Sequence, residues 1–185
     1  MNIKIYCLFI WSMIDWVYYN FTRLQYVKKS CGEKTILRVR VIKYKGQNVI
    51  LSDGTEINKN DVLIKIHLHN VKLLSRFHEF SEIKRGLAVY KSIKDSLPFV
   101  YHYLNTHKQE SKIKGLIGIT LLHKGSKKLG FEPVTIQNYY FRSFKRVALF
   151  PIYFLASSNA MNKRVPEPMY LFMSKKSLMK KYHLS

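Results

Sequence analysis

The sequence predicts a single α+β domain over residues 1–185, an antiparallel β-meander extended by later strands and covered by aromatic-rich helices. Three observations predict it. Residues 35–70 read as three successive strands joined by tight turns. The hydrophobic period changes to that of a helix from Val71 onward. Two segments, 3–27 and 139–156, carry apolar or aromatic side chains at nearly every helical position. The length suits one domain with a substantial core, and the helices are expected to cover one face of the sheet.

Residues 3–27 are expected to form one aromatic helix packed on or beside the sheet. Its most apolar run, IYCLFIWSMI at 5–14, stops at Asp15, too short to span a bilayer and without the small-residue cleavage site of a signal peptide. A polar connector with Gly32 leads to the first strand, with Leu37, Val39 and Val41 inward and Arg38 and Arg40 outward. Gly46-Gln47-Asn48 supplies a turn, residues 49–51 a short strand, and Ser52-Asp53-Gly54-Thr55 a hairpin turn, because Asp-Gly tolerates positive φ. After a turn at 58–61, Val62, Ile64, Ile66 and Leu68 alternate with Leu63, Lys65, His67 and His69. One face of that strand enters a core and the other presents Lys65, His67 and His69 together.

Asn70 reads as the N-cap of the helical stretch that follows, apolar at Leu73, Leu74, Phe77, Phe80, Ile83, Leu87, Tyr90 and Ile93. Ser96-Leu97-Pro98 is expected to end it and to start a second helix with Pro98 in the first turn. Residues 113–122 are β-branched and apolar, a buried strand. Residues 123–130 read as one or two helical turns closed by Gly130, and 131–136 as a further short strand. Residues 139–156 form the second aromatic helix, in which Pro151 marks a kink or restart. A polar loop at 157–164 and a last strand at 166–173 lead to Ser174, the cap of a final basic helix with Leu178 and Tyr182 on its buried side.

Composition bounds the function. Hydrophobic content of 47% with 14% aromatics excludes wholesale disorder. Lys and Arg number 32 against 11 Asp and Glu, a formal net charge of +21, which favours polyanions: an anionic membrane surface, an anionic glycopolymer or nucleic acid. Lys outnumbers Arg 24 to 8, so AT-rich codon usage is a competing source of the same charge. Cys7 and Cys31 form no CxxC and no framework, which reads as free thiols in a reducing compartment. The expected location is cytoplasmic, with peripheral contact on the inner face of the cell membrane.

The candidate chemistry centres on histidine. His67 and His69 project to one side of their strand, as paired ligands on sheets do, and His123 at the end of another strand is the third candidate. Their spacing is not that of a metal site, so the expectation is a polar ligand pocket of Lys65, His67, His69, Asn70, His123 and Ser126, with no metal and no cofactor. Ser126 is included because hydroxyl and N–H groups at a helix start suit an anion. No nucleophile elbow, P-loop or paired carboxylates are present, so no catalytic residue is assigned. An enzyme of unknown reaction using a His67, His69 and His123 cluster is the alternative. A basic nucleic-acid-binding protein ranks lower, because strand aromatics are few and no zinc finger or helix-turn-helix is legible. For membrane contact the candidates are Trp11 and Trp16 in the first aromatic helix and Tyr140, Arg142, Lys145 and Arg146 in the second. The plainer reading of both helices is ordinary packing over the sheet.

Four runs carry a family resemblance: IDWVYYNFTRLQYV, the sheet ILRVRVIKYKG with LSDGTEINKNDVLIKIHLHN, LLHKGSKKLGFEP, and PEPMYLFMSKKSLMKKY. In this order they resemble the YkoP-like family, small Bacillus-type proteins whose domain also occurs fused behind polysaccharide deacetylases. The resemblance implies an end-to-end match and transfers no activity and no catalytic residue. It implies work alongside cell-envelope polysaccharide enzymes in a Gram-positive type bacterium. The chain lacks the Asp-Asp and His-x-x-x-His metal motifs of a deacetylase, so the implied role is that of a non-catalytic accessory or ligand-binding protein.

Overall fold

Alternating β-branched residues make long strands of 34–43 and 62–68, and these two pair with each other. A computed structural model of the protein describes residues 3–77, 79–157 and 164–183. Helix α1 (Ile3–Phe21) leads to strands β1 (Gln25–Lys28), β2 (Lys34–Lys43), β3 (Val49–Ile50), β4 (Glu56–Ile57) and β5 (Val62–Leu68). Helices α2 (Asn70–Phe77) and α3 (Glu82–Asn105) cross to β6 (Ile113–Thr120), followed by β7 (Glu132–Thr135), α4 (Tyr139–Ala156), β8 (Met169–Ser174) and α5 (Lys175–Tyr182). The main sheet runs β1-β2-β5-β6-β8-β7 and is antiparallel except between β5 and β6, where the α2–α3 crossover brings the chain back parallel.

The α+β class stands, with four corrections to its detail. The meander is not three strands side by side: β3 and β4 pair only with each other, as a hairpin standing off the sheet between β2 and β5. The first helix ends at Phe21, not at residue 27. Arg23 takes a left-handed φ of +52°, and the chain continues as edge strand β1 with Leu24 and Val27 buried. The helical break lies at Ser81, whose side chain accepts from Lys84 N, and α3 then runs unbroken through Pro98. A proline in a helix interior costs about 3 kcal/mol. Burial of Leu97, Val100 and Leu104, none of them exposed, offsets it at about 1.5–3 kcal/mol each. Finally, helices lie on both faces of the sheet. The 158–163 part of the expected polar loop falls outside the described residues.

The first face holds the main core. Leu37, Val39, Ile64, Leu116 and Met173 pack against Leu97, Val100 and Leu104 of α3 and Leu178 and Tyr182 of α5. Gly130 ends a 3-10 turn at φ +92°, a conformation costly for any residue with a Cβ, and Ser174 caps α5 as its sequence predicts. At one end of the second face, Leu63, Ile117 and Phe172 meet Tyr44 with Leu51 and Ile57 of the hairpin region. Hydrogen bonds from Ser52 to Glu132, and from Ser174 and Ser177 to Asp53, fix that hairpin to β7 and α5. The rest of the second face is polar, and α1 and α4 meet each other there.

Candidate functional site

Register decides which side chains share this face. Arg38 lies opposite His67, and Arg40 opposite Lys65, so all four point to the same side of the sheet. The sequence places the arginines facing outward, toward water; the structure puts α1 over them, and Arg38 is only 3% exposed.

Asp15 of α1 supplies the counter-charge. Arg38 donates to both of its carboxylate oxygens, Nη1 to Oδ1 at 3.0 Å and Nη2 to Oδ2 at 2.8 Å, a bidentate pair. The same Nη2 donates to the Tyr26 hydroxyl at 2.8 Å, and that hydroxyl lies 3.1 Å from His69 Nδ1. His69 Nε2 lies 3.6 Å from Asp15 Oδ2, and in the tautomer that carries its proton there the Tyr26 hydroxyl donates to Nδ1. Burial, with the Arg38 charge, pushes the His69 imidazole down to about 4 despite Asp15 nearby. The Tyr19 and Tyr26 rings lie 4.9 and 4.8 Å from the guanidinium carbon. This part of the face is charge-balanced, with the buried Nε of Arg38 left without a hydrogen-bond partner.

Two residues further along each strand, at the next position on this face, the balance fails. Arg40 Nη1 donates to the Thr22 carbonyl at 3.3 Å, and its buried Nε has no partner. Lys145 of α4 comes down from above, its ammonium 5.3 and 5.4 Å from the Phe141 and Phe144 rings. Burial, then the charges of Lys145 and Arg40, push the Lys65 ammonium down to about 8. Burial and the Arg40 charge lower Lys145 likewise. His67 falls to about 3 through burial and the surrounding cations, so it is neutral at pH 7. No carboxylate among the described residues forms an ion pair with Arg40, Lys65 or Lys145.

The two covering helices are inverted relative to an ordinary surface helix. In α1, Trp11, Asp15 and Tyr19 turn inward, while Phe9, Ile10, Met13, Trp16, Val17 and Phe21 are exposed. Trp16 is 69% exposed and Phe21 84%. In α4, Arg142, Lys145 and Arg146 are half-buried, while Tyr140, Phe144 and Val147 form an exposed stripe. Arg146 donates to the Val165 carbonyl at 2.8 Å, and Arg142 to the Ile136 carbonyl at 3.5 Å. Of the six residues expected at a membrane, Trp16 and Tyr140 thus lie on the outer surface. Trp11 is half-buried, and the three basic side chains reach back toward the protein.

The expected histidine pocket divides. Lys65 and His67 lie in the cationic layer, and His69 joins the Asp15 network. Asn70 opens α2 and is half-buried. His123 and Ser126 sit beyond the end of β6, where Ser126 N donates to the His123 carbonyl at 3.1 Å and Ser126 is buried. Among the described residues no three His, Cys, Asp or Glu side chains are placed to hold a metal ion. Cys31 is a free, exposed thiol. The residues missed from sequence are Asp15, Tyr26, Arg38 and Arg40. The available signals were a lone acid inside an apolar helix and two arginines alternating with core residues.

These features define a class of protein: a small α+β domain whose mixed six-stranded sheet carries a balanced ion network and an unbalanced cationic layer beneath two inverted aromatic helices. The YkoP domain matches residues 4–182, and the chain belongs to that family. It is 44% identical over 174 residues to Uncharacterized protein YkoP of Bacillus subtilis (strain 168), covering 94% of each chain. No solved structure matches it.

Proposed function

We propose that this is a non-catalytic accessory or ligand-binding protein that works at an anionic membrane surface, with the outer faces of α1 and α4 in the headgroup zone. The observation that carries the reading is the inversion of both helices: Asp15 of α1 and Arg142, Lys145 and Arg146 of α4 turn inward, while Phe9, Trp16 and Phe21 of α1 and Tyr140, Phe144 and Val147 of α4 are exposed. Exposed apolar patches of this extent mark interaction sites. Trp and Tyr favour the headgroup zone, where the ring is sheltered and the N–H or O–H stays wet. Among the described residues no helix is long and apolar enough to cross a membrane, which fits helices lying in the interface plane. The net charge of +21 selects an anionic leaflet, such as the inner face of a cell membrane. The family's fusions to polysaccharide deacetylases support a setting in envelope polysaccharide metabolism, with an anionic glycopolymer or an envelope polysaccharide enzyme as partner.

Co-sedimentation with phosphatidylglycerol and phosphatidylcholine vesicles, at low and high salt, tests it. The expected result is binding to the anionic vesicles that persists at high salt because aromatic rings are inserted. A Trp16→Ala, Phe21→Ala, Tyr140→Ala variant, altered only at exposed positions, is expected to fold and to lose binding. Absent binding, binding abolished entirely by salt, or a dimer closed over this face that ignores vesicles would each overturn the reading.

A further inference from the structure

We propose that Arg40, Lys65 and Lys145, with His67 beside them, form a binding site for a phosphoryl-type oxyanion between the sheet and α4. The Asp15–Arg38 pair next door shows how this face neutralises a buried cation when it does so internally: a bidentate carboxylate and a tyrosine hydroxyl at hydrogen-bond distance. Arg40, Lys65 and Lys145 share the same half-buried face, come from three different elements, and have no carboxylate among the described residues.

Buried charge is costly unless paired, and gathering like charges compounds the cost. A surface with ample water nearby gives no reason to half-bury Lys145; α4 instead exposes Phe144 and Val147 and keeps the Lys145 ammonium against the Phe141 and Phe144 rings. The chemistry of the set narrows the ligand. A planar guanidinium fork and two ammonium groups suit a compact, multiply charged oxyanion, on which several charge-assisted hydrogen bonds converge. Neutral His67 adds a polar ring without adding repulsion. The Nε of Arg40 is buried without a partner, as is that of Arg38, so what separates the two is the carboxylate that Arg38 has and Arg40 lacks. Arg40 also lines a cleft of about 250 Å³ with Thr22, Arg23, Gln25 and Tyr103, where β2 runs on past its pairing with β1; Lys65 and Lys145 do not line it. The chemistry is the same whether the phosphoryl group is free in solution or belongs to a lipid headgroup. The site does not depend on the membrane reading.

The test compares wild type with Lys65→Met and Lys145→Met, and uses Lys108→Met, at an exposed position, as the charge-matched control. Thermal unfolding is followed in inorganic phosphate and in sodium chloride of equal ionic strength, and phosphate affinity is measured by calorimetry. Wild type and Lys108→Met are expected to gain Tm in phosphate. Lys65→Met is expected to have a higher Tm than wild type without phosphate, because an unpaired buried charge is gone, and to lose the phosphate response. Each site variant is expected to weaken phosphate binding about tenfold or more, the usual effect of losing one charge-assisted hydrogen bond. Should Lys65→Met fail to fold, Lys145→Met on the covering helix carries the same test. Phosphate responses equal in all four proteins, or absent from wild type, would overturn the site. Phosphatidylglycerol vesicles separate the two sources. Weaker vesicle binding by Lys65→Met, with displacement by phosphate, identifies a headgroup phosphate. Unchanged vesicle binding with a lost phosphate response identifies a soluble phosphoryl ligand. Both outcomes support the site, and neither is altered by loss of vesicle binding through the aromatic residues.

Discussion

Asp15 is the residue on which the second face turns. It is the sole acid of α1, and its pairing with Arg38 sets which side of the helix meets the sheet. Asp15→Ala removes the partner of a buried guanidinium and is expected to cost about 3–5 kcal/mol in urea unfolding, whereas Tyr26→Phe, which leaves the carboxylate in place, costs about 1 kcal/mol. An Asp15→Ala, Arg38→Met double variant is expected to recover part of the loss, since both charges then leave the interior together. The pH dependence has two parts with one sign. Lys65 titrates near 8 in the folded state against 10.5 unfolded, so between those values the unfolded chain holds more protons and stability rises with pH. The charged groups facing it are Arg40 and Lys145, both cationic, and nothing among them reverses the sign. His67 and His69, depressed to about 3 and about 4, confer stability that is complete above 6.5 and is lost as pH falls through their folded values. Unfolding curves collected at intervals from pH 4 to 10 check both. At this scale the sequence shows Lys65, His67 and His69 on one face but not their company. Which arginine faces which histidine depends on the β2–β5 register, and the hairpin between those strands hides it.

Elements with a local chemical signature were legible. The bounds of α4, the Gly130 stop and the Ser174 cap all follow from residues within a turn of the feature they control. The edge strand β1 was not, because Tyr26 and Val27 continue the aromatic density of α1 while their period has changed. Pro98 misled for a different reason: the core contacts of Leu97, Val100 and Leu104 lie far away in sequence and hold the helix through it. The β6–β8 pairing gives an element-scale test. A Cβ at Gly115 would press on the Met173 carbonyl across the ladder, whereas one at Gly118 would make ordinary contact with the Ile66 side chain. Gly115→Ala is therefore expected to cost about 1–3 kcal/mol, the usual range for overpacking, and Gly118→Ala distinctly less. Arg85 offers another. It donates to carbonyls of Phe77 and Phe80 near the end of α2 and to Leu155 and Ala156 at the end of α4, tying two helix ends together. Arg85→Ala is expected to lower thermal stability by about 1.5–3 kcal/mol, at the scale of hydrogen bonds from a charged donor, and to speed amide exchange in the last turn of α4.

Across the whole molecule, the apolar residues have three destinations. One set fills the core between the sheet and α3 with α5, and a smaller one the cluster of Tyr44, Leu63 and Phe172 under the hairpin. The third lies on the outside of α1 and α4, over a layer of cations. Composition alone predicts both an aromatic-rich chain and a strongly basic one, yet says nothing of this layering, since a helix apolar nearly all round gives no preferred buried side until Asp15 finds Arg38. The arrangement unites the two proposals: an outer surface suited to lipid and an inner one suited to an oxyanion. The chain's two tryptophans make the most direct measurement available, because Trp11 is half-buried and Trp16 is exposed. In a Trp11→Phe variant, Trp16 reports alone. With phosphatidylglycerol vesicles its emission is expected to shift to the blue and to be quenched by lipids brominated along the acyl chain, at high salt as at low. Emission that stays that of a water-exposed indole, unquenched while the protein is present with excess vesicles, would contradict the account.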